Sequence, residues 1–202
     1  MDATTTKKKK ISSFSLPQAL RKLQAETLRT WELRVDPLPP SEFFNERIHR
    51  LRRVFDLTIS ERAKELLVDA ICEEAIQRHE ALKVWKAAAI QGESVTDVVD
   101  YVVAENIAYL RTPLLCIVEA KKDDFAQGLA QCLVEMQAFQ WNNEQAGKKI
   151  DVYGIVTNGT AWQFYKLDRD RQDWETSLYA ISNIEQLLGI LDYVFTKCEE
   201  NL

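Results

Sequence analysis

Leu114-Leu115-Cys116-Ile117-Val118-Glu119-Ala120-Lys121 is the stretch on which the reading of this chain turns. Five apolar residues in a row follow the turn signal Thr112-Pro113. A run that short and that apolar is the pattern of a strand in the middle of a sheet covered on both faces. Glu119 and Lys121 close it. Side chains two apart on a strand share a face, so these two opposite charges stand together. Charges at the end of an apolar strand cost free energy unless they are paired or bind a metal. A plain ion pair is the simpler role and a metal site the richer one.

Upstream, residues 83–90 and 95–104 are β-branched or alternating, which predicts two more strands. Asp100 sits in the second of them, inside Val98-Val99-Asp100-Tyr101-Val102-Val103, where aspartate is out of place. If this strand pairs with the next as a hairpin, Asp100 comes beside Glu119. Two adjacent carboxylates repel unless a cation lies between them, and such oxygen ligands suit Mg2+ or Mn2+. Asp97 is an odd number of residues away and faces the other side. Before the sheet, Ser41 and Ser60 each open a helix, over residues 42–55 and 61–79. On the second helix Ala63, Leu66, Leu67, Ala70 and Ile71 form one face. Glu74 falls in the middle of that face and wants a partner, with Glu73 on its flank.

Downstream, residues 124–141 read as a helix with Phe125, Leu129, Cys132, Leu133 and Met136 on one stripe. Gln127, Gln131 and Glu135 lie opposite that stripe. Residues 151–157 and 160–167 are strands joined at Asn158-Gly159, a strong hairpin signal. Residues 174–181 are one further strand, and 183–199 a closing helix. The predicted fold class is α/β, a mixed central sheet flanked by helices. Residues 1–40 read as an N-terminal extension, basic and partly disordered, and 41–202 as the folded domain. Within the extension, 1–13 are expected to be disordered and 20–33 amphipathic, up to the break at Asp36-Pro37-Leu38-Pro39-Pro40.

The set Glu74, Asp100 and Glu119-Ala120-Lys121 resembles the motif of the PD-(D/E)XK nuclease superfamily. Residues 113–131, with their apolar strand, ExK and Gln-bearing helix, resemble the nuclease domains of type I restriction enzymes, and so does the strand and turn 154–162 that follows. The resemblance covers about residues 60–170. No proline precedes Asp100, where Val99 stands, and the tyrosine of the family's QxxxY variant is missing. The resemblance implies a restriction-endonuclease-like αβββαβ core. It implies Mg2+ or Mn2+ held by Asp100, Glu119 and the Ala120 carbonyl, with Glu74 as an outer or second-metal ligand. Lys121 orients the attacking water, and Gln127 and Gln131 complete the catalytic set. The implied activity is hydrolysis of DNA. The alternative is a nuclease-fold module that does not cut and binds nucleic acid or a protein partner, self-association included.

Composition narrows the rest. The chain has 202 residues, 46% of them hydrophobic, enough for one domain with a core of its own. No apolar run is long enough to span a bilayer and no signal-type segment follows Lys7-Lys8-Lys9-Lys10, so a cytoplasmic location is expected. Four scattered cysteines and two histidines offer no zinc spacing. A net charge of −5 argues against strong non-specific binding to nucleic acid and leaves local clusters, Lys7 to Lys10 and Arg47, Arg50, Arg52 and Arg53, to meet phosphates.

Overall fold

The structure is a computed structural model that describes residues 8–121 and 124–202. The apolar run is strand β5 (Leu114–Ala120), and all seven of its residues are buried. It is the fifth strand in chain order. Before it come β1 (Lys9–Lys10), β2 (Arg29–Thr30), β3 (Leu82–Gln91) and β4 (Val95–Glu105). After it come β6 (Val152–Thr157), β7 (Ala161–Leu167), β8 (Asp173–Glu175) and β9 (Tyr179–Ala180). The helices are α1 (Leu16–Leu23), α2 (Glu42–Val54), α3 (Glu61–Ile76), α4 (Phe125–Gln145) and α5 (Ile184–Glu199). Among the described residues all nine strands join one mixed sheet. β5 and β6 run parallel, as the intervening helix α4 requires, while β3–β4, β4–β5 and β6–β7 are antiparallel. Helices cover both faces, so the chain is a mixed α/β domain as read from the sequence.

The helices begin where their caps lie. Ser41 accepts from the Phe44 N–H, Ser60 from the Ala63 N–H and Asp124 from the Gln127 N–H; each such cap is worth about 1 kcal/mol. Leu67, Ile71 and Cys72 of α3 pack with Val103, Cys116 and Val118 and with Leu187, Leu191 and Phe195 of α5. On the other face Leu133, Met136 and Phe139 of α4 meet Val102, Ile117, Val152 and Val156. Gly154 allows α4 to come this close: a Cβ there would stand 2.5 Å from the sulfurs of Cys132 and Met136. The hairpin at Asn158-Gly159 forms as expected. The Asn158 Oδ1 accepts from the Thr160 and Ala161 N–H groups, and Gly159 has φ +82°.

Two expectations need correction. Residues 1–7 lie outside the described residues, but residues 8–13 are ordered by the domain itself. Lys9 and Lys10 pair with Val95 and Thr96 of β4. The Ser12 N–H donates to Asp97 Oδ2 at 2.9 Å, and Ile11 is fully buried with Phe14 and Ala19 against α4. The helix of this region starts at Leu16, and the chain then returns to the sheet as β2 beside β8. Trp31, Leu33, Val35 and Leu38 pack on the α3–α5 side. Also, residues 174–181 are two short strands. Thr176 interrupts them by accepting the Phe164 N–H on its own hydroxyl.

One consequence of this packing positions the site. Thr96 pairs with Gln91 of β3 on one edge and Lys10 of β1 on the other, while Val103 pairs with Val84 of β3 and Cys116 of β5. β1 and β5 therefore lie end to end along the same edge of β4. Between them, no strand pairs with residues 97–100 on that edge among the described residues.

Candidate functional site

That gap is where the charged residues gather. The β4–β5 register ends at Tyr101 opposite Val118, so the next residues, Asp100 and Glu119, face each other across it. Asp100 Oδ2 turns into the gap and accepts the Ala120 N–H at 2.9 Å. A strand residue directs its N–H and C=O to the same edge, so the Ala120 carbonyl also faces the gap. Lys121 Nζ lies 2.8 Å from Glu119 Oε1 and 3.6 Å from Glu61 Oε1. Gly128 makes room for the lysine stem: a Cβ there would stand 3.0 Å from Lys121 Cγ and 2.8 Å from Val156.

Burial sets the electrostatics. Glu119 is 2% exposed, and its pKa is pushed up to about 7, by desolvation first and by the neighbouring Asp100 second. The Lys121 ammonium offsets only part of this. Asp100 is raised by burial against the pull of its bond from Ala120. Lys121 is pulled down by burial, but Glu119 and Asp100 outweigh that and hold it protonated. The backbone beside the site is strained. Lys86 pairs with Tyr101 and Ala88 with Val99, which leaves Ala87 opposite Asp100 with φ +53°. A left-handed alanine costs about 1 kcal/mol, the kind of strain that gathers at functional sites.

These shifts fix a pH dependence. A buried glutamate with a raised pKa contributes its full stability below its ordinary value of 4.5, where both states are protonated. As pH rises the unfolded chain ionises first, and the contribution is lost up to about 7. The loss is on the order of 3 kcal/mol at most. In EDTA, melting temperature is expected to fall from pH 5 to pH 8, and Glu119→Gln to flatten the fall. A wild type that gains stability over that window would contradict the assignment.

The structure does not bring every expected residue here. Glu74 accepts from the Ser41 N–H at 2.7 Å and the Ser41 hydroxyl at 2.8 Å, tying α3 to the start of α2. It borders a separate cavity of about 540 Å3 with Phe44, Arg47 and Asp192. Glu74 is half-buried between α3 and the start of α2, and the strand ends meet the other end of the helix, 13 residues and about 20 Å away. There Glu61 reaches Lys121, and Glu65 adds to the negative field on Asp100. Neither was singled out from the sequence, although their i, i+4 spacing at a capped helix start puts both on one face. Gln127 is a clamp: its Nε2 donates to the Ser12 and Phe14 carbonyls at 3.2 Å. Gln131 and Glu135, opposite the apolar stripe, are nonetheless buried, since the N-terminal segment covers one side of α4 and the sheet the other. Glu135 is raised well above the carboxylate range by burial, then by Glu119 and Asp100. Of the basic cluster, Arg47 Nε pairs with Glu73 at 2.9 Å and Arg50 pairs with Glu46. All four cysteines are free and buried. Among the described residues no helix is long and apolar enough to cross a membrane.

Compared with models of known protein families the chain matches none, and no curated protein matches it.

Proposed function

We propose that the chain is a metal-dependent nuclease that hydrolyses DNA phosphodiester bonds in the cytoplasm, built on a restriction-endonuclease-like core. The observation that carries this reading is Asp100 facing Glu119 across the β4–β5 gap, with Lys121 Nζ 2.8 Å from Glu119. The order α3-β3-β4-β5-α4-β6 supports it, being the αβββαβ order of that class.

The donor set suits Mg2+ or Mn2+. Among the described residues no three His, Cys, Asp or Glu side chains stand together as a ready ligand set. Mg2+, however, keeps several waters and is commonly bound through one or two carboxylates. Asp100, Glu119 and the Ala120 carbonyl would hold it. A bound divalent cation lowers the pKa of a water and offsets charge on the phosphate. Asp100 and Glu119 would fix its place through their strands. Lys121, kept cationic by its neighbours, donates to the attacking water and to the charge that develops on the phosphate. Glu61, and not the Glu74 expected as an outer or second-metal ligand, is the α3 acid beside the site, and its part is to steady Lys121.

The test is a cleavage assay of the full chain on plasmid, single-stranded, duplex and branched DNA. Cutting with Mg2+ or Mn2+ and none in EDTA is expected. No cutting together with no Mn2+ binding at millimolar concentration would remove this reading. Metal binding without cutting would favour a silent module that binds nucleic acid or a protein. The net charge of −5 and the ion-paired state of Arg47 and Arg50 speak for that second reading.

A further inference from the structure

Helix α4 carries an acid that the chemistry above leaves without a task. Glu135 is 1% exposed, and its Oε2 is fully buried with no hydrogen-bond partner among the described residues. A buried polar atom without a partner costs free energy, more so if charged, and native structures hold few of them. Lys121, a cation that bears on it, is already engaged by Glu119 and Glu61. Glu135 lies on the side of α4 that covers this end of β4 and β5: Gly128, two turns before it, packs on the Lys121 stem, and Ala138, one turn after it, packs on Gly92 beside Val95. The charges that bear on it most are accordingly Glu119 and Asp100. Asp100, Glu119 and Glu135 thus gather in one largely dry region, and among the described residues Lys121 is the ammonium that bears on all three. Such a grouping is short of positive charge and of hydrogen-bond donors, and a hydrated divalent cation supplies both.

We propose that Glu135 is the outer acid of the cation site, accepting a hydrogen bond from a water bound to the divalent cation that Asp100 and Glu119 hold. This rests on the metal-dependent reading of that pair. The role is through water because Glu135 does not stand with Asp100 and Glu119 as a direct ligand set. Gln131, one turn earlier on the same face of α4 and also buried, borders the same side. Groups that orient the water shell of a bound metal matter: their loss lowers metal affinity about 10–100-fold.

The experiment is calorimetric titration of Mn2+ into wild type and Glu135→Gln, with melting curves of both in EDTA and in Mn2+. Glu135→Gln keeps the shape of the side chain and removes the acid. It is expected to melt in EDTA at or above the wild-type temperature, to bind Mn2+ about 10–100-fold more weakly, and to lose most of the Mn2+-induced rise in melting temperature. Equal Mn2+ affinity in the two proteins would overturn the role of Glu135 and leave the metal site standing. A lower melting temperature for the variant in EDTA would overturn it too, by revealing a structural partner for the carboxyl. A wild type that binds no Mn2+ would remove the metal-dependent reading, and this inference with it.

Discussion

Lys121→Ala is expected to lower the rate of plasmid nicking by at least about 100-fold, the usual loss when one group aimed at developing transition-state charge is removed. Mn2+ affinity should stay within a few-fold of wild type, because the lysine is not a ligand. Asp100→Asn should behave differently. It keeps an oxygen to accept the Ala120 N–H but removes the charge facing Glu119. Nicking and Mn2+ binding should both be lost. Melting in EDTA should rise, since the repulsion by Asp100, second to desolvation in raising Glu119, is relieved. The contrast between the two variants is the informative part. If Lys121→Ala nicks at the wild-type rate, Lys121 serves only to pair Glu119, and the cluster is an ion pair at a strand end.

The second large effect concerns the N-terminal segment. Ile11 is fully buried between β4 and α4 although lysines precede it and serines follow. Ile11→Ala is expected to cost about 2–5 kcal/mol, as for other buried aliphatic truncations. For a domain of this size that is a fall of roughly 5–15 °C in melting temperature. Lys10→Ala, at an exposed strand position, should change little. Thermal melts by circular dichroism decide it. An Ile11→Ala protein that melts with the wild type would mean that the segment does not hold its place on β4.

How far these features can be read without a structure depends on where their causes lie along the chain. β5 is legible because an unbroken apolar run has few other uses. The pairing of Glu119 with Lys121 is legible because a strand alternates by twos. The Asn158-Gly159 turn is legible because its chemistry is local. Ile11 and Phe14 are not, since their burial comes from β4, more than eighty residues away, and nothing beside them hints at it. Glu74 fails for a subtler reason. Periodicity on α3 finds Leu67, Ala70 and Ile71 of the buried face but leaves Glu74 only half-buried at its margin, and it is silent about which end of the helix meets the ends of the strands. Glu61 had the right end, and its place in a helix-start signal hid it. The burial of Gln131 and Glu135 is not legible either, because amphipathicity assumes a helix with a wet side, whereas α4 is enclosed by the sheet and by α1 together.

The left-handed backbone at Ala87 has a consequence for descent. A position with φ +53° tolerates residues by their backbone freedom rather than by their size or charge. Among chains that keep this site, glycine, asparagine and aspartate should recur there, and valine and isoleucine should be nearly excluded. That bias would appear in an exposed strand where β-branched residues are otherwise favoured. Such a pattern at one surface position of an edge strand, set opposite an aspartate, would track the gap in β4 even in relatives whose carboxylates had been replaced.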